Sequence, residues 1–568
     1  MSTVLFEKHE TRPATGFTLR DYQAEDADAV YGHWERGDLH VLCVHATGLG
    51  KSILIAELMG RKPDGERGLV VVDSTDLSLD LFRTIKKHTG KQPGILSGEY
   101  KENLDAEILV ATKQCLCAGD KFMGLDISEF STLCIDECEA ALANEYVLMI
   151  QSFIDRNPDL RICGLTATPL PANNRAIADL FPHAASEPGP LYRDLQWSYL
   201  HGWLVKPMQG VLRCSMDFAS LKIRKNESGE KDYSDKDIAK LMLQQDERQW
   251  LELAGGIYQI AKGHTAIVVC PNSTVVADKL AGYIEGHARE DNASGIAYSI
   301  HRKLGRRRSW DLMRRFKRGE FPIAVSVRMF EKGFDYDKVN MVVMCRRTKS
   351  LRLYTQIAGR ATRPLKEIRP SLLDEQDSKA RMGIIAASEK PSCVVVDCVG
   401  VNDEAKDIIG VIDILGRGVR DDIRERVRRM MLDRARAQEA GNPRPTDAEP
   451  AGMDVGDDAR EAVRQDREEQ ERKERERRAA LSAKVDYSFE MNRVGNSGLK
   501  PGQHRAYRRG DSSAAQVRLL IAMGVKGSTA LQYGKKQAGA VIHKMKKDNA
   551  PFDWRRVKSY EDEWGTIV

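Results

Sequence analysis

Ten short apolar runs, separated by stretches with helical spacing, constrain this chain more than any other feature. The first five are Val41–Val44, Leu69–Val72, Ile108–Val110, Leu133–Ile135 and Ile162–Leu165. A polar stretch rich in Lys, Glu and Ser follows at 222–240, and then the pattern restarts. The second five are Ala266–Cys270, Ile296–Tyr298, Ile323–Val327, Met341–Met344 and Cys393–Val396. Runs this short are too brief for buried helices. Alternation with helical patterns predicts parallel strands covered by helices on both faces. Two successive α/β units of similar size are therefore expected.

The first unit carries chemistry at its strand ends. Residues 45–52 read His-Ala-Thr-Gly-Leu-Gly-Lys-Ser, placed between the run Val41–Val44 and a helical pattern that starts at Ile53. A glycine-rich turn between strand and helix aims backbone N–H groups and a helix N-terminus at one point, which suits a phosphate chain. Thr47, Gly48, Leu49, Gly50, Lys51 and Ser52 are the candidate cradle. Lys51 would reach the terminal phosphates and the Ser52 hydroxyl would ligate Mg²⁺. The first position of the usual phosphate-loop pattern is Gly or Ala, and here it is His45. The run Ser131–Ile135 ends in Asp136-Glu137-Cys138-Glu139. Carboxylates at the carboxyl end of a strand lie where open α/β sheets bind ligands. Asp136 is the candidate Mg²⁺ holder, and Glu137 the candidate base that orients and deprotonates the attacking water.

With 568 residues and roughly 100–200 residues per domain, three or four units are expected. No apolar run approaches the ~20 residues that span a bilayer, and the N-terminal decapeptide has no signal-peptide core. The eleven cysteines are scattered without paired CxxC spacing. They read as buried free thiols of a reducing cytosol and give no zinc site.

The net charge of +5 is unevenly placed, because residues 484–568 hold sixteen Lys/Arg against eight Asp/Glu. A basic appendage on a nucleotide-driven body predicts a polyanion partner. Before it, Arg420–Arg436 reads as a charged helix with a stripe of Ile423, Val427, Met430 and Met431. Gly441–Gly456 reads as a linker. Asp457–Arg478 is a helix polar all round, as in a solvated spacer. Ser512–Gly524 reads as a capped helix closed by glycine, and Lys535–Lys547 as a second helix with Ala538, Val541, Ile542 and Met545 on one face. In the second α/β unit, Arg302–Arg318 is densely basic. There Trp310, Met313 and Phe316 read as one core-facing stripe, and Arg306 and Arg307 are candidate phosphate contacts.

Taken together, the motifs over about residues 17–400 resemble those of the superfamily 2 helicases of the DEAD/DEAH-like group, nearest to bacteriophage and restriction-enzyme-type motors. Phe17-x-Leu19-Arg20-Asp21-Tyr22-Gln23 resembles the adenine-reading segment, and implies that Arg20 and Gln23 face the base. Val110-Ala-Thr112-Lys-Gln114 resembles a segment that touches the nucleic-acid backbone, through Thr112 and Gln114. Leu165-Thr166-Ala167-Thr168-Pro169 resembles the coupling motif, and His201-Gly202-Trp203-Leu204 the crossing into the second lobe. Phe330-Glu331-Lys-Gly333-Phe334-Asp335 and the segment from Ser350 through Gln356, Gly359, Arg360 and Arg363 to Pro364 are similar to the last two signatures. Gly333 and Asp335 are implied to contact nucleotide. Gln356, Arg360 and Arg363 are implied to be catalytic. Planar, permanently charged arginines also suit the charge that develops on a transferring phosphoryl group. Glu139 stands where His or Asp is usual, and Asp73 where Pro is frequent. An acid at that place predicts a side chain turned away from phosphate.

The resemblance implies two tandem RecA-like parallel-sheet lobes, 1–208 and 209–416. A charged helical connector (417–484) and a small basic α-helical module (485–568), expected to bind DNA, would follow. ATP and Mg²⁺ are the implied cofactors, and a bacterial or phage-infected cytoplasm the implied setting. The expected activity is an ATP-dependent DNA helicase or translocase, with DNA favoured over RNA. A duplex translocase without strand separation, an RNA helicase and a non-hydrolysing ATP-gated adaptor remain alternatives. The C-terminal module is alternatively a docking site for a replication or recombination protein. No nuclease-type carboxylate–lysine cluster is evident.

Overall fold

The structure is a computed structural model. It describes residues 17–98, 100–117, 125–138, 144–167, 180–182, 189–218, 220–225, 231–330, 335–400, 402–404, 409–415, 419–441, 514–525, 530, 535–547 and 556. Two compact units divide the chain, residues 1–468 and 469–568.

The first unit holds two mostly parallel sheets. The strands of the first sheet are β1 (His40–His45), β2 (Arg67–Val72), β3 (Gly94–Ser97), β4 (Tyr100–Glu102), β5 (Ile108–Thr112), β6 (Phe130–Asp136), β7 (Arg161–Thr166) and β8 (Tyr192–Arg193). Their order is β4-β3-β5-β2-β6-β7-β1-β8, and β4 alone runs antiparallel. The second sheet comprises β9 (Lys206–Arg213), β12 (Ala266–Val269), β13 (Ala297–Ile300), β14 (Ile323–Ser326), β15 (Met341–Met344) and β16 (Ser392–Val399). It runs β13-β14-β12-β15-β16-β9, all parallel. A separate hairpin, β10 (Ile223–Lys225) and β11 (Lys231–Tyr233), occupies the polar stretch between the two sets of apolar runs.

Each expected run overlaps a strand. The reason is burial on both faces: Leu42 and Val44 point into one core, and Val41 and Cys43 into the other. β9 was not among the expected runs. It begins at Lys206, so the chain joins the second sheet slightly before the expected 208/209 division. The helix Asp421–Gly441 is also less detached than a connector. Its Ile423, Val427 and Met431 sit in the same core as Val342, Ile357 and Val395 of the second sheet's layer. The described cysteines are all free thiols, as the composition suggested. No helix among the described residues is long and apolar enough to cross a membrane.

In the second unit the helices Ala514–Ala522 and Lys535–Lys547 form where expected. They share a small core of Val517, Leu520, Ile521, Ala538 and Ile542. Gly524 takes a left-handed φ of 98°, the conformation of a glycine that closes a helix. The expected linker past Gly441 and the polar helix 457–478 lie outside the described residues.

Candidate nucleotide site

Strand order puts three motifs side by side. β6, β7 and β1 are neighbours in the first sheet, so their carboxyl ends share one edge. Val44 pairs with Thr166, and Asp136 pairs with Leu165. The loop 45–52, the pair Asp136-Glu137 and Thr166 therefore emerge at one level. Gly48 (φ 100°) and Gly50 (φ 82°) take the left-handed backbone that a side chain would oppose. Lys51 and Ser52 then open the helix Lys51–Arg61, with the Ser52 side chain exposed.

Glu137 is the junction of the site. Its Oε1 accepts from Lys51 Nζ at 3.2 Å, and its Oε2 accepts from Gln356 Nε2 at 3.2 Å. Lys51 belongs to the phosphate loop and Gln356 to the helix Leu351–Ala358 of the second sheet's layer. Glu137 also has a φ of 52°. A left-handed non-glycine residue costs on the order of 1–3 kcal/mol, and such strain gathers at functional sites. The Asp136 carboxylate turns back to accept from Glu137 N at 3.1 Å.

The second layer presses against the phosphate loop at two points. A Cβ on Gly359 would lie 2.7 Å from Thr47 Cβ, so only glycine permits this approach. Beside it, Arg363 Cγ lies 3.2 Å from where a Cβ on Gly48 would stand. Arg363 Nη1 pairs with Asp335 Oδ1 at 2.5 Å. Burial pushes the Asp335 carboxyl up, but the charge and hydrogen bond of Arg363, joined by the charges of Arg369 and Lys366, together hold it below its ordinary range. Arg360 is buried at 7% exposure, on the same segment. Gly333, Glu139, Thr168 and Pro169 lie outside the described residues.

The base-reading segment grips the loop instead of standing clear of it. Gln23 Nε2 donates to Leu49 O at 2.9 Å, and its Oε1 accepts from Arg20 N at 3.0 Å. Both ends of the amide are thus engaged inside the protein, which differs from the base contact that the resemblance implies. Tyr22 Oη donates to the same Leu49 carbonyl at 2.7 Å. The Arg20 guanidinium stands 5.1 Å from the Trp203 ring centroid and donates to Tyr22 Oη at 2.8 Å. His45 is fully buried, and its Nε2 lies 2.6 Å from Asp26 Oδ2. Asp26 also accepts from Leu191 N at 2.7 Å and pairs with Arg193 at 3.3 Å. The unusual histidine therefore ties the root of the loop to the helix Asp21–Glu35 and to β8. Sequence reasoning missed Tyr22, Trp203 and Asp26. The Arg-Asp-Tyr-Gln string was the available signal for Tyr22 and the His-Gly-Trp-Leu string for Trp203, and nothing local marked Asp26.

The candidate nucleic-acid contacts are spread out. Thr112 is buried at 3% exposure, whereas Gln114 is exposed and donates to Asp73 O at 3.0 Å. The Asp73 carboxylate is ion-paired with Lys113, which neutralises the acid that the sequence placed near phosphate. Arg306 and Arg307 are exposed at the start of the helix Arg306–Lys317. Trp310 corrects the core-stripe expectation. Met313 and Phe316 are buried, but Trp310 is 49% exposed. Each three-residue step on a helix drifts by about 60°, so a third member of such a series leaves the buried face.

These residues fit a nucleoside triphosphate with Mg²⁺. The donor set is a glycine cradle, one lysine, a hydroxyl, a carboxylate and arginines from the facing layer. Among the described residues no three His, Cys, Asp or Glu side chains converge on a metal.

Fold and site together define a two-lobed α/β protein whose phosphate loop lies in one lobe and whose arginines lie in the other. Family comparison agrees. Residues 16–170 match the family described as "Type III restriction enzyme, res subunit", and residues 249–364 match "Helicase conserved C-terminal domain". These matches support a superfamily 2 helicase of restriction-enzyme type. It is similar to "Putative ATP-dependent helicase IRC3" of Saccharomyces cerevisiae, 23% identical over 360 residues, which covers 61% of this chain and 49% of that protein. The chain thus spans about half the length of that curated relative. Similar solved structures include the Type ISP restriction-modification enzyme LlaBIII bound to DNA (13% identity, TM-score 0.48, 73% of this chain and 30% of that one). Another is helicase Lhr of Mycobacterium smegmatis (15% identity, TM-score 0.44, 66% and 45%).

Proposed function

We propose that this chain is an ATP-dependent motor on nucleic acid, a helicase or translocase that acts on DNA. The observation that carries this reading is Glu137, held between Lys51 of the phosphate loop and Gln356 of the facing lobe. A general base poised at a lobe junction couples hydrolysis to lobe closure, since it is fully oriented only when both lobes meet.

In this reading Lys51 and the loop N–H groups bind the phosphates, and Ser52 and Asp136 hold Mg²⁺. The ion supplies charge neutralisation on the phosphate oxygens. Glu137 orients water and takes its proton. Arg360 and Arg363 stabilise the charge that spreads over the transferring group. Gln23 and Tyr22 set the loop's backbone through Leu49, and base contact falls to their neighbourhood. Thr112, Gln114, Arg306 and Arg307 are proposed strand contacts, and residues 485–568 a separate DNA-binding module. DNA is preferred over RNA because the first lobe matches the family described from restriction enzymes.

The test is phosphate release with no polymer, DNA or RNA, followed by strand displacement on 3′-tailed, 5′-tailed, forked and blunt substrates. DNA-stimulated release with displacement supports the helicase. Release without displacement leaves a duplex translocase, RNA-selective release an RNA helicase, and no release an ATP-gated adaptor.

A further inference from the structure

Lys390 belongs to none of the motifs above, yet it is buried at 3% exposure next to the arginine segment. Its Nζ donates to Asp337 O at 2.6 Å and to Arg363 O at 2.8 Å. Asp337 follows Asp335 by two residues, and its Oδ2 accepts from Lys366 N at 2.6 Å. One ammonium thus joins the end of the Phe330–Asp335 signature to the end of the arginine signature. The Arg363 side chain in turn spans Asp335 and the phosphate loop beside Gly48.

The sheet itself does not require this lysine. Lys390 precedes β16, whose register with β15 and β9 is made by backbone pairs. Burying an ammonium is costly unless its hydrogen bonds compensate, and here two backbone carbonyls accept it. A buried lysine spent on two carbonyls of functional segments is better explained by what those segments must hold still.

We propose that Lys390 is a positioning residue for Arg363: its ammonium fixes the backbone from which the Arg363 guanidinium reaches the phosphate loop. The inference rests on the ATP-hydrolysis reading of the site. Burial lowers the Lys390 pKa to about 8, against the opposing pull of Cys393 and Asp337, with Arg363 and Arg369 adding to the lowering. Loss of its proton would leave donors but remove their charge assistance, which roughly halves their strength.

The test uses the full chain and DNA-stimulated ATP turnover from pH 6.5 to 9.5. Lys390→Met should lower kcat by ~10-fold or more while KM for ATP stays within about twofold, since displacement of a catalytic group by a fraction of an ångström is costly. In an Arg363→Ala background the same change should cost less than about twofold, because both act on one group. The parent should lose turnover with an alkaline limb near pH 8 that is absent from Arg363→Ala. Equal losses in both backgrounds overturn the proposal, and so does parental kcat in Lys390→Met. If Lys390→Met does not fold, the pH profiles alone decide. A flat parent profile, or a limb that persists in Arg363→Ala, overturns it. Glu137→Gln is the control: if it keeps parental turnover, the reading of the site fails, and otherwise only the role of Lys390 is at stake.

Discussion

Gln356 of the second lobe donates a 3.2 Å hydrogen bond to Glu137 of the first, and the opposite oxygen of that carboxylate takes Lys51. A carboxylate shared in this way cannot be set by its own lobe. Glu137→Gln should therefore keep ATP binding, because the lost charge is not a phosphate ligand, and slow hydrolysis by ~10²-fold or more. Lys51→Ala should weaken binding and turnover together. Gln356→Ala should lower kcat less than Glu137→Gln does, since the Lys51 contact remains. Nucleotide titration beside steady-state phosphate release checks all three, and parental turnover in Glu137→Gln would remove it as the base.

Arg363 is engaged by Asp335 within its own lobe while it lies against Gly48 of the other. Removing the guanidinium should cost ~10³-fold in stimulated turnover, the scale of an arginine finger. Asp335→Asn keeps the shape but frees the arginine, so its loss should be much smaller. If Arg363→Ala and Asp335→Asn fall equally, the pair matters as a clasp and not as a charge donor.

The runs that became strands were legible because they are uninterrupted and, apart from the half-buried edge strand β13, mostly buried on both faces. β9 was not, since Pro207, Gln209 and Gly210 break its apolar signal; as an edge strand it tolerates the proline. Lys51, Asp136 and Glu137 were legible from their places at the ends of β1 and β6, and Arg360 and Arg363 from the resemblance of their segment to the family's last signature. Their partners were not. The Gln23 amide ends on the Leu49 carbonyl, and Lys390 ends on the Arg363 carbonyl. Backbone acceptors leave no mark in a sequence. Trp310 misled because three apolar residues at three-residue steps wind away from the core.

Asp397 is a buried carboxyl beneath the arginine-bearing segment, and it predicts a pH dependence of stability. Its Oδ2 accepts from Gln209 Nε2 at 2.6 Å and from Tyr354 Oη at 2.9 Å, yet burial pushes its pKa up to about 7. The unfolded carboxyl titrates near 4, so the folded state holds the extra proton between about pH 4 and pH 7. The associated stability is complete below the lower value and is lost as pH rises through the upper one. Asp397→Asn can keep both hydrogen bonds as acceptor and cannot ionise. Its stability relative to the parent should rise from pH 5 to pH 8 by on the order of 1–3 kcal/mol. Thermal melts at the two pH values check this, and an equal gap at both would remove Asp397 as the titrating group.

The helix Arg306–Lys317 offers Arg306, Arg307 and the half-exposed Trp310 on its outer surface. If the two arginines neutralise phosphates, Arg306→Ala with Arg307→Ala should lower the single-strand salt slope by roughly 0.7 for each phosphate no longer neutralised. Stacking on a base would make Trp310→Ala weaken single-strand binding by about 1–3 kcal/mol with little change in slope. Anisotropy titrations at several salt concentrations separate the two. An unchanged slope would return the arginines to ordinary solvated surface.

Residues 484–568 carry sixteen Lys/Arg against eight Asp/Glu, and two helices of that region share a small core. A DNA-anchoring module on a tether would raise the local concentration of strand near the motor without touching its chemistry. Deleting 485–568 should then weaken duplex binding and flatten its salt slope by roughly 0.9 for each phosphate that the module neutralises. Turnover at saturating DNA should stay near the parent value, because Lys51, Glu137 and Arg363 are untouched. A protein-docking module predicts the opposite on both DNA measures, with affinity and slope unchanged by the deletion. Titration of parent and deletion with labelled duplex at two salt concentrations separates these outcomes, and equal slopes would exclude the anchor.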